Sequence, residues 1–61
     1  MSEFWFNYVT WMWGDDIMTL GQLYMLAEKG KITHEEYKGF CGQEFENYNA
    51  EDSKKTKSQL V

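Results

Sequence analysis

Apolar residues crowd the start of this chain and then settle into a helical rhythm. From Phe4 to Trp13 only Asn7 and Thr10 interrupt the run of Phe4, Trp5, Phe6, Tyr8, Val9, Trp11, Met12 and Trp13. With Ser2 as N-cap and Glu3 in the first turn, this stretch predicts a helix over residues 3–13, with Gly14 available as the residue that closes it. Farther on, Leu20, Leu23, Tyr24 and Ala27 recur at i, i+3, i+4 and i+7, the spacing of one helix face, and Met25 and Leu26 widen the stripe. A second helix is expected over 20–29, ended by Gly30. A third is expected over 34–40, with Gly39 inside it and Gly42 just beyond.

The second and third helices begin alike. Thr19-Leu20-Gly21-Gln22 and Thr33-His34-Glu35-Glu36 both have the form of a capping box. In that motif the Thr hydroxyl and the Gln or Glu side chain three residues later each accept a hydrogen bond from the other's backbone N–H. The alignment pairs Met18, Thr19, Gln22 and Leu23 with Ile32, Thr33, Glu36 and Tyr37. An apolar residue precedes each Thr, and another lies four positions after it, as in a hydrophobic staple. Glu44 to Tyr48 suits one further turn, with Phe45 and Tyr48 three apart. From Asn49 onward the composition turns polar, so residues 49–61 read as a flexible tail. The expectation is an all-α, three-helix miniature over residues 1–48 with a disordered C-terminal tail.

Length changes the picture. A chain of 61 residues is one domain at most, and domains of this size bury only about 60% of their unfolded surface. Their cores supply roughly 3–5 kcal/mol unless stapled. Cys41 is the single cysteine and His34 the single histidine, too few for an internal disulfide or a structural zinc site. Oligomerisation or docking is the remaining route to stability. The first helix carries more aromatic surface than a small core absorbs, and Trp and Tyr dominate binding hot spots. Phe4, Trp5, Tyr8, Trp11, Met12 and Trp13 are therefore the candidate protein-interaction residues.

Charge narrows the partners. The net charge is −4, and residues 1–53 hold all ten acidic residues against only Lys29, Lys31 and Lys38. Nucleic-acid binders need a clustered basic surface to displace counterions, and Lys54, Lys55 and Lys57 in the tail are too few. The Phe4–Trp13 run falls well short of the ~20 residues that span a bilayer, and no basic residue precedes it. It reads as neither a transmembrane segment nor a signal peptide. Membrane-surface helices bring Lys or Arg on the polar face, whereas the nearest lysine here is Lys29. No catalytic motif is present. Glu35 and Glu36 suit the positive end of a helix dipole, Asp15 and Asp16 suit a turn, and His34 suits a solvated helix start. Cys41 reads as a small, half-buried apolar side chain. No enzyme activity, cofactor or metal is expected.

Several of these features occur together in one known group of proteins. The Trp/Tyr-rich first helix, the Gly14-x-x-x-x-Thr19-x-x-Gln22-Leu23 turn, the block Glu28-Lys29-Gly30-Lys31-Ile32-Thr33-His34-Glu35-Glu36-Tyr37-Lys38 and the following Gly42-Gln43-Glu44-Phe45 carry it. Over roughly residues 5–45 the chain resembles the XkdX family of small proteins encoded among the tail genes of bacteriophages and prophages. Phe45 stands where members of that family tend to have Tyr. The resemblance implies a phage tail or tail-fibre context, in the bacterial host cytoplasm during phage production or in the virion, and no catalytic activity. Two function classes follow. The first is a non-enzymatic structural or assembly protein whose aromatic helix packs against a copy of itself or a phage tail or fibre protein. The alternative is a small acidic phage inhibitor that presents carboxylates to the nucleic-acid groove of a host enzyme.

Overall fold

Three helices form where the apolar pattern places them. The computed structural model describes residues 3–60 and contains α1 (Glu3–Gly14), α2 (Leu20–Glu28) and α3 (His34–Cys41). Short 3-10 turns follow at Phe45–Asn47, Ala50–Asp52 and Lys57–Leu60, and no strand occurs among the described residues. The helix limits agree with expectation to about one residue, the ordinary uncertainty of a helix end. Ser2, the expected first cap, lies outside the described residues.

Both capping boxes are formed. Thr19 N–H donates to Gln22 Oε1 at 3.1 Å and Gln22 N–H to Thr19 Oγ1 at 3.3 Å. Thr33 N–H donates to Glu36 Oε1 at 2.8 Å and Glu36 N–H to Thr33 Oγ1 at 3.0 Å. Each box therefore fixes where its helix starts. The staple residues Met18, Leu23, Ile32 and Tyr37 are all buried. Together with Val9, Trp13, Leu20 and Ala27 they make the core.

The helix ends hold one surprise. Gly30 and Gly42 take the left-handed conformation after α2 and α3, as expected. Gly14, however, remains inside α1, and the left-handed residue is Asp16 at φ 65°. Asp16 N–H reaches Trp13 O at 3.2 Å and Ile17 N–H reaches Met12 O at 2.9 Å. That pair of bonds is the Schellman motif, with aspartate where glycine is usual. A short polar side chain is among the few that visit this backbone region.

Asp16 also ties down the chain's far end. Its carboxylate accepts from the Ser58 N–H at 2.8 Å and from the Ser58 hydroxyl. The stretch expected to be a flexible tail thus has a defined path in the structure, running back along the start of α2. There Leu20 N–H donates to Lys55 O at 2.7 Å and Gly21 N–H to Ser53 O at 2.9 Å. A helix start leaves its first N–H groups without intrahelical acceptors. In α2 the first two of these groups are satisfied by the C-terminal strap, residues 53–58, and the third by Thr19. Gly21 permits the approach, since a Cβ there would stand 2.9 Å from Ser53 O.

Candidate functional site

Around α1 the apolar side chains divide into three strips. Val9 and Trp13, one turn apart, face the core and are buried. Beside them Trp5, Tyr8 and Met12 are half-buried. Farther round the helix, Phe4 and Trp11 stand two turns apart and are 66% and 61% exposed. Phe6 lies on the opposite flank, its ring 5.7 Å from that of Phe40.

The middle strip forms one wall of a groove. Trp5, Tyr8 and Met12 face Gln22, Met25 and Leu26 of α2, with Ile17 and Met18 in the connecting turn and Tyr48 also in the lining. The open groove encloses about 650 Å³. None of its lining residues is charged. Trp5 is held edge-on between Phe4 and Tyr8, with ring centroids 5.3 Å and 5.9 Å away, and the Lys31 ammonium lies 5.7 Å from its ring centroid. Such edge-to-face and cation contacts orient the indole without covering it.

A second aromatic arrangement braces the molecule. Tyr48 stacks on Tyr24 at 3.9 Å, Tyr24 on Phe45 at 4.5 Å and Phe45 on His34 at 4.0 Å, all nearly parallel. This column fastens the Phe45–Asn47 turn to α2 and to the start of α3. His34 is exposed and also stacked, a contact that its expected place at a solvated helix start does not reveal.

Titratable groups with shifted behaviour lie outside the groove. Burial, followed by the neighbouring Cys41 thiol, holds the Tyr37 phenol well above its ordinary range, and beyond that weak thiol contact its oxygen has no hydrogen-bond partner among the described residues. The hydrogen bonds from Ser58 lower the Asp16 carboxyl. Glu44, 2.7 Å from the exposed Lys38 ammonium, raises that lysine. Among the described residues no cluster of three His, Cys, Asp or Glu side chains gathers to hold a metal, and no helix is long and apolar enough to cross a membrane.

Of the six expected interaction residues, the structure brings Trp5, Tyr8 and Met12 together in the groove and leaves Phe4 and Trp11 beside it. Trp13 is a correction. It is 2% exposed, and its indole N–H donates to Phe40 O at 2.8 Å, so it spends its hydrogen bond and its surface inside the core. Ile17 and Met25, 53% and 45% exposed, were missing from that set. For Met25 the signal was the unusually wide apolar stripe of α2; Ile17 sits in a turn, where periodicity says nothing.

Fold and surface together define a small all-α protein with an uncharged, aromatic-walled groove between its first two helices. Comparison with protein-family models, curated proteins and solved structures finds no match to this chain.

Proposed function

We propose that this chain is a non-enzymatic structural or assembly protein of a phage tail region, acting by docking through α1 and the adjacent groove. The observation that carries the docking is Trp11, 61% exposed on the helix that also walls an uncharged groove. Tryptophan is the residue most enriched at binding hot spots, and large exposed apolar patches mark interaction sites. The phage setting rests on the sequence resemblance to XkdX proteins, and with it go the host cytoplasm or the virion as the place of action. The chemistry is association alone: apolar surface leaves water and the rings interlock.

The test is genetic and visual. In a phage that encodes this chain, Trp11→Ala should yield filled heads with absent or defective tails by electron microscopy. Normal tails from both that variant and a full deletion would overturn the tail role.

A further inference from the structure

We propose that the groove between α1 and α2 is the seat of a second copy of this chain, in a two-fold symmetric dimer in which each copy's Trp11 lies against the other's groove. The inference deepens the docking reading above and rests on it. Three observations favour this occupant. Trp11 stands on the same helix as the groove wall, so a two-fold axis can set each ridge against the other copy's groove, as an isologous interface requires. The lining carries no charge, so two chains of net charge −4 meet there without opposing carboxylates at the centre. A partner recognised by its basic side chains would instead call for acidic residues in the lining.

Area is the third. Trp11 and Phe4, at 61% and 66% exposure, still show roughly 200–300 Å² of ring surface between them. Ile17, Met25 and the groove walls extend the face toward the roughly 800 Å² per partner that stable interfaces bury. Phe4 and Trp11 share one strip of α1, next to the strip that walls the groove, and Ile17 and Met25 line that groove.

Sedimentation equilibrium on the full chain, from about 1 μM to about 1 mM, tests the proposal. The wild type is expected to sediment as a dimer over most of that range. Trp11→Ala and Met25→Glu, one on the ridge and one in the groove, should each raise the dissociation constant at least tenfold while keeping their helical circular dichroism. A folded wild-type monomer at the top concentration would overturn the dimer, as would a dimer indifferent to both substitutions. These results are separable from the tail role: a monomer still required for tails sinks only the dimer, and a dimer dispensable for tails sinks only the tail role.

Discussion

A methyl group added at Gly39 meets no atom within 4 Å, whereas one added at Gly21 comes to 2.9 Å from a backbone oxygen of the strap. Both glycines are helical, so the same substitution should act in opposite directions. Gly39→Ala is expected to stabilise by about 0.5–1 kcal/mol, the ordinary gain from restricting a helical glycine. Gly21→Ala should destabilise by about 1–3 kcal/mol, because the atom that must move is main chain. Urea unfolding followed by circular dichroism decides both signs. Tyr37 offers a sharper case. Its ring is fully buried, but beyond a weak contact with the Cys41 thiol its hydroxyl finds no acceptor, and a buried hydroxyl left so poorly paired costs about 1–3 kcal/mol. Tyr37→Phe should therefore be neutral or stabilising. Because the folded phenol is held above the ordinary value near 10, its contribution is intact below that pH and is lost as the unfolded chain ionises above it. The advantage of Tyr37→Phe should grow between about pH 9 and about pH 11, by at most about 1.4 kcal/mol per pH unit. A constant difference would contradict this assignment. Tyr37's burial was legible, since the alignment of the two capping boxes sets it opposite Leu23. The state of its hydroxyl was not, because apolar spacing says where a side chain goes and nothing about what its polar atom meets there.

Among the elements, α2 shows most clearly what spacing reveals and what it hides. Its start was legible in Thr19 and Gln22, and removing that cap with Thr19→Ala should cost about 1 kcal/mol. The strap across its first turn was not legible. Its acceptors are the carbonyls of Ser53 and Lys55, groups that every residue possesses, and its anchor is an aspartate in a conformation usually reserved for glycine. The polar composition after Asn49 records only that this stretch buries little. Deleting residues 50–61 should remove two backbone hydrogen bonds to α2 and both Ser58 bonds to Asp16, destabilising the chain by about 2–4 kcal/mol. Amide exchange gives the more specific readout: Leu20 and Gly21 should lose protection on deletion, while Gln22, bonded to Thr19, keeps more of its own. Unchanged exchange at Leu20 and Gly21 would mean that the strap does not cap α2 in solution.

For the whole molecule, the amount of exposed surface is ordinary and its kind is not. The accessible area is 4120 Å², close to the roughly 4,200 Å² expected of a compact monomer of this mass. The excess of aromatics therefore does not reflect loose packing; it reflects which residues the fold leaves outside. With only 61 residues, the rest of the chain covers the Val9 and Trp13 side of α1 and leaves Phe4 and Trp11 outside. A helix apolar around most of its circumference cannot be covered on every side by so short a chain. The excess was legible in the run from Phe4 to Trp13, but its division into a buried Trp13 and an exposed Trp11 required the position of α3, whose Phe40 carbonyl accepts the Trp13 indole. Ionic strength then separates the two ways an acidic protein of this size can associate. Carboxylates presented to a basic groove give a complex that weakens steeply with salt. Two chains of net charge −4 meeting through an uncharged groove repel weakly at long range, and screening removes that repulsion. Their dimer should hold constant or tighten by no more than about threefold between about 0.05 M and about 0.5 M NaCl. A tenfold weakening over that range would show that charge, and not the aromatic face, holds the complex together.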